Sequence, residues 1–179
     1  MVKTKELWKI AKEANVFIGY EDFSNIHPGI YIRGEINVIG LDNHLTPTEE
    51  RCVLAEELGH HFTLPPGMDL RESHRYGILQ KRIFYETIAR EYAVNLLIPY
   101  DQWEKLMKKE DTTIEEIMTT FDVTREFAYY CLDMYFFGTI FINPYKHMEG
   151  IPGDRIEEEK EILARWISDI KVQIAKKAA

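Results

Sequence analysis

Leu7, Ile10, Ala11 and Ala14 recur at helical spacing with lysines and glutamates between them, which predicts an amphipathic helix over residues 4–14. Val16 to Tyr20 is short, β-branched and aromatic, the composition of a strand. Ile30–Arg33 and Glu35–Leu41 read as two more strands joined at Gly34, in a tight hairpin where glycine supplies the unusual backbone angles. His27-Pro28-Gly29 and Asp42-Asn43-His44 are turn material. The pattern then becomes helical. Thr46 and Glu49 make a capping box around Pro47, and Pro65-Pro66-Gly67 ends that helix, with Val53, Leu54, Leu58 and Phe62 available to a core. A second helix runs from about Lys81 to Leu97, stopped by Pro99, with Ala89, Tyr92, Ala93 and Leu96 in a broad buried stripe.

Beyond Pro99 the chain reads as all-helical. Tyr100 to Lys109 is a short helix, Thr112 to Phe121 opens with a Thr112/Glu115 capping box, and Thr124 caps a helix through about Phe136. Phe136 to Tyr145 is aromatic and ends at Asn143-Pro144, so a strand or extended arm is expected. Pro152-Gly153-Asp154 opens a last helix whose apolar face is Ile156, Leu163, Trp166, Ile167, Ile170 and Ile174. That face docks on the domain or on a partner subunit, two outcomes the pattern leaves open. No internal repeat or low-complexity segment interrupts the 179 residues.

Candidate chemistry lies in the first long helix, at Arg51 to Thr63, RCVLAEELGHHFT. Glu56 and His60 are four residues apart and share a helix face, close enough to hold one metal ion. The zinc-protease pattern H-E-x-x-H puts two histidines on the metal and uses the glutamate to activate water. Here the pattern is E-E-x-x-H. Gly59 is a poor helix former, and its place beside His60 makes sense if a backbone or ligand must come close. On the second helix Glu86 falls in the inward stripe, where a carboxylate is expensive unless paired or metal-bound, so it is the candidate third ligand. Glu57 and His61 are also four apart, but as ligands they would leave Leu58 in the general-base position; His61 is therefore assigned a structural or rim role. The basic stretch at residues 65–80, with Arg71, His74 and Arg75, is either a rim or lid over the site or a solvated connection.

Composition narrows the function classes. Hydrophobic residues are 45% and charged residues 29%, enough to fill a core. The net charge of −8 argues against a general nucleic-acid binder. Residues 112–136 have the rhythm of a helix-turn-helix, yet residues 111–135 carry six acids and one base, a surface that phosphate repels. Cys52 and Cys131 have no CxxC spacing, as expected of free thiols in a reducing compartment. The opening MVKTKELWKIAKEANV has no continuous apolar stretch, and the most apolar run, Ala128 to Ile142, is too short for a membrane helix. A cytoplasmic protein without membrane contact is expected.

LAEELGHHFT, followed by E-x-x-A-x-x-Y-A-x-x-L-L-I-P from Glu86 to Pro99, resembles the ImmA/IrrE family of metallopeptidases, over the frame from Thr46 to Pro99. The resemblance implies metal ligation by Glu56, His60 and Glu86, a general-base role for Glu57, and, in the phage and mobile-element branch, action on a helix-turn-helix repressor. It also implies an α+β fold: a zincin-like core at residues 1–100, in which a small sheet packs on the two motif-bearing helices, and a helical C-terminal region at 101–179. Two positions depart from the family pattern. Glu56 replaces a histidine, and Arg90 stands where asparagine is common. With two carboxylates the metal centre would be formally neutral rather than +1, which weakens acidification of bound water and moves preference from Zn²⁺ toward Mn²⁺-like ions. The expected protein is a slowed or pH-shifted endopeptidase holding a divalent metal, zinc or a manganese-like ion, with a repressor as substrate. The rival is a non-catalytic anti-repressor on the same fold. Tyr85, Tyr76 and His74 are candidates for the oxyanion partner, and oligomeric state is open.

Overall fold

The computed structural model describes residues 2–24, 26–66, 76–140, 142 and 156–178. The order is α1 (Thr4–Glu13), β1 (Val16–Glu21), β2 (Gly29–Ile32), β3 (Asn37–Asp42), α2 (Pro47–Thr63), α3 (Tyr76–Leu97), α4 (Tyr100–Met107), α5 (Ile114–Phe121), α6 (Arg125–Phe137) and α7 (Ile156–Ala178). The fold is α+β, as the sequence implied. Strand β3 is central, parallel to β1 and antiparallel to β2, which leaves β2 as an edge beside α2.

Burial on both faces of β3 shows how the layers form. Ile39 and Leu41 enter the main core with Leu7, Leu54, Leu58 and Leu97, whereas Val38 faces the other way, into a second cluster with Phe23, Ile30 and Trp166. That second cluster is made by α7, which docks on the sheet of its own chain. Trp166 lies over a glycine pair: a Cβ at Gly40 would stand 2.7 Å from Trp166 Cη2, and one at Gly19, its register partner, 3.2 Å from Trp166 Nε1. An Arg165–Glu21 ion pair of 2.9 Å adds to the dock. The main core is continuous through Trp103, Phe121, Phe127 and Cys131 of the later helices. No helix among the described residues is long and apolar enough to cross a membrane.

Local signals held where chemistry is specific. Thr46 accepts from the Glu49 amide while the Glu49 carboxylate accepts from the Thr46 amide, with Pro47 at the first helical position. Thr124 caps α6 through the Phe127 amide. Elsewhere boundaries moved. The β2–β3 pairing ends at Ile32↔Val38, so five residues connect the last pair and Gly34 has no positive φ; a longer loop does not need the primed turn that glycine serves. Helix α3 reaches back to Tyr76, since Lys81 and Arg82 are good helix formers and mark no start. Thr113, not Thr112, caps α5, because the Thr112 hydroxyl donates to the Leu106 carbonyl instead. Helix α6 continues through Phe137 to Gly138 at φ 80°, and residues 138–140 and 142 form no strand. Phe62 is 46% exposed and stacks on Tyr92 rather than entering the core. Residues 67–75, 141, 143–155 and the proposed helix opening at Pro152-Gly153-Asp154 lie outside the described residues.

Among the described glycines Gly59 leaves the least room: a Cβ there would lie 2.2 Å from the Ala89 carbonyl oxygen of α3. Backbone cannot yield as a side chain does. Gly59→Ala is expected to lower stability by about 2–3 kcal/mol in urea denaturation. Gly34→Ala, whose nearest added contact is 3.7 Å away, should stay within about 0.5 kcal/mol of wild type. Equal effects of the two changes would show that α2 and α3 do not meet at Gly59.

Candidate metal centre

The approach of α2 and α3 at Gly59 brings three separated residues together. Glu56 and His60 sit one turn apart on α2, Glu86 projects from α3, and one donor atom from each lies within 4.8 Å of the others. His60 and Glu86 are both buried. Their closest atoms, Nε2 and Oε2, are 3.4 Å apart. Charge-assisted hydrogen bonds are shorter, about 2.7–2.9 Å. Two donors about 2.0–2.2 Å from one ion at a near-tetrahedral angle would stand about 3.3–3.5 Å apart, so the spacing fits a shared cation. One imidazole nitrogen and two carboxylate oxygens are suitable donors for a divalent ion. His60 Nδ1 is buried and has no hydrogen-bond partner among the described residues.

Arginines from α3 complete the charge pattern. Arg90 Nε donates to Glu56 Oε1 at 2.8 Å, and Arg82 Nε lies 3.7 Å from Glu86 Oε1. The Arg90 guanidinium rests 4.8 Å from the Tyr130 ring centroid, and the Tyr130 hydroxyl donates to Glu126 Oε1 at 2.7 Å. Burial opposes the charge on Arg90, but Glu56 more than offsets it and holds the guanidinium protonated. Burial likewise opposes ionisation of His60 and Glu86, yet their mutual contact wins, raising His60 to about 9 and lowering Glu86 to about 2. A cation at His60 Nε2 has to displace that proton, so its binding is pH-dependent.

Glu57 lies beside this cluster on α2, against the sheet edge at Gly29. The Tyr31 backbone N–H donates to its carboxylate. Gly29 permits this close pass: a Cβ there would be 2.3 Å from Val53 Cγ1 and 3.0 Å from Glu57 Oε1. Burial, with Glu56 and Glu86 adding and His60 opposing, pushes the Glu57 pKa up to about 8. His61 turns away, bonded through Nδ1 to the Tyr31 hydroxyl at 2.9 Å, while Arg33 donates to the carbonyls of His61 and Leu64 at 2.7 Å each. Strand β2 is thereby tied to the end of α2.

All four motif residues line one cavity of about 600 Å³, walled by residues 26–33, α2, α3 and α6. Its size lies within the usual range for ligand sites. Of the oxyanion candidates, Tyr85 packs against Phe84 and is not in the cavity wall. His74 and the Tyr76 side chain lie outside the described residues. Tyr31 and Tyr130 line the cavity instead, with Arg82, Arg90 and Glu126. Arg82 and Arg90 stand four residues either side of Glu86, a helical spacing that could have flagged them; Tyr31 and Tyr130 carry no such signal.

The family described as the IrrE N-terminal-like domain, Peptidase_M78, matches residues 11–133. The chain belongs to that family. The match takes in the sheet from β1 onward, both motif helices and most of α6, so the cavity walls lie within the family domain. No individually curated protein matches the chain. Membership makes this a metallopeptidase-like protein, and Glu56, His60 and Glu86 form a group that could hold a metal.

An acid whose pKa rises on folding holds its proton more tightly folded than unfolded, so stability falls as pH rises between the two values. For Glu57 that window runs from the ordinary 4.5 to about 8. In metal-free protein, the stability of Glu57→Gln relative to wild type should therefore grow across this window and level off above it. The His60–Glu86 pair is common to both proteins and largely cancels. Urea midpoints measured over this range would show a flat difference if Glu57 were not a buried neutral carboxyl.

Proposed function

We propose that this protein is a metal-dependent endopeptidase whose substrate is a helix-turn-helix repressor of a phage or mobile element. The observation that carries the reading is the convergence of Glu56, His60 and Glu86 beside buried Glu57, in a peptide-sized cavity of a peptidase-family domain. Zinc is the preferred metal and a manganese-like ion the alternative, given two carboxylates in the donor set. An ion on these three residues supplies Lewis acidity for a scissile carbonyl and for a water.

The chain's own groups do the rest. Glu57 takes the water's proton on its carboxylate and returns it to the leaving amine. Burial pushes its pKa up to about 8, which suits a carboxyl that holds a proton near neutral pH, and a nearby cation favours the ionised, proton-accepting form. Residues 26–33, with edge strand β2, form one wall along which an extended peptide can lie. The acidic chain, net −8, complements a basic DNA-binding partner. A cytoplasmic location follows from such a substrate.

Co-expression with a helix-turn-helix repressor tests the proposal. Wild type should clip the repressor, and purified wild type should lose that activity to a chelator and regain it with Zn²⁺ or Mn²⁺. Glu57→Gln should bind metal but cleave at least about a hundredfold more slowly. An intact repressor that is nonetheless displaced from its operator by both proteins would identify a non-catalytic anti-repressor instead.

A further inference from the structure

We propose that Arg90 sets the charge of the candidate metal centre, by holding one Glu56 oxygen so that the carboxylate meets the ion as part of a neutral Glu–Arg unit. The inference rests on the metal-binding reading above. Arg90 Nε and Glu56 Oε1 are 2.8 Å apart with side chains only 13% and 22% exposed, so this is no solvent-screened surface pair. The guanidinium is fixed from behind by the Tyr130 ring at 4.8 Å, and Tyr130 is itself anchored on Glu126. Arg90 lies one helical turn beyond Glu86 on α3, which puts its charge beside both carboxylates of the donor set. Arg82 is farther from its carboxylate, 3.7 Å, and 30% exposed, so it contributes less.

Charge counting gives the consequence. A divalent ion with Glu56, Glu86 and neutral His60 is formally neutral; Arg90 returns one positive charge. The centre then matches a set with a single carboxylate, and an ion there keeps acidity that two bare carboxylates would remove. The same guanidinium repels the ion. Arg90 therefore exchanges metal affinity for Lewis acidity, and Glu56 and Arg90 function only as a pair.

The test is a cycle of wild type, Arg90→Gln, Glu56→His and Glu56→His/Arg90→Gln, with Arg90→Lys as the charge-conserving variant. Each full-length protein is titrated with Zn²⁺ and with Mn²⁺ against a chromophoric chelator, and circular dichroism verifies folding. Arg90→Gln should bind the ions about tenfold or more tightly, while Arg90→Lys stays near wild type. Glu56→His alone should bind more weakly, with an uncompensated guanidinium beside the ion, and the double variant should recover at least about tenfold. An ion pair with a purely structural role would move the melting temperature and leave these affinities in place. Unchanged or weaker binding by folded Arg90→Gln, or equal binding by Glu56→His and the double variant, overturns the inference alone. Absence of binding by wild type and every variant overturns the metal-binding reading together with it.

Discussion

The backbone contact between α2 and α3 at Gly59 governs the rest of the molecule. With no side chain at this position, the Ala89 carbonyl comes within the space a methyl would fill, and the two helices approach closely beside His60. Glu56 and His60 on one helix can then reach Glu86 on the other. A wider spacing would part the buried His60 and Glu86 and cost stability. A single glycine thus links helix packing to the chemistry.

Glu56, Glu57, His60, Arg82, Glu86 and Arg90 all line the resulting cavity, and their charges are not independent. His60 holds the Glu86 carboxyl low and Arg90 pairs with Glu56, whereas burial pushes the Glu57 pKa up to about 8. The partition follows position. Glu86 and Glu56 face cations across the helix pair, while Glu57 faces a strand edge that offers one backbone amide and little solvent. Neighbouring carboxylates driven to different protonation states by their surroundings are how one site holds both a ligand role and a proton-transfer role.

The remainder of the fold holds this cluster in place. Arg33 and Tyr31 pin the edge strand to the end of α2, which fixes the amide that Glu57 accepts from. Helix α6 closes the opposite side through Tyr130, so residues well beyond the motif helices shape the cavity. Behind the sheet, Trp166 fills the slot left by Gly19 and Gly40, covering with α7 a face that would otherwise be open.

Much of this was legible in the sequence, because the signals are local. The Thr46–Glu49 cap, the i, i+4 placement of Glu56 and His60, the inward position of Glu86 and the close approach at Gly59 all follow from helical geometry over a few residues. Element edges were less legible: the Thr112–Thr113 choice and the start of α3 depend on competing bonds of nearly equal strength. Tyr31, Tyr130 and the Trp166 slot left no pattern, since each arises from segments distant in sequence. The Glu56–Arg90 contact is the clearest division between the two levels. Sequence showed two separate departures from a family pattern and assigned the centre a neutral charge. Only packing, which set those side chains 2.8 Å apart in a poorly solvated site, made them one interaction, because Coulomb energy depends on separation in space and on the surrounding dielectric.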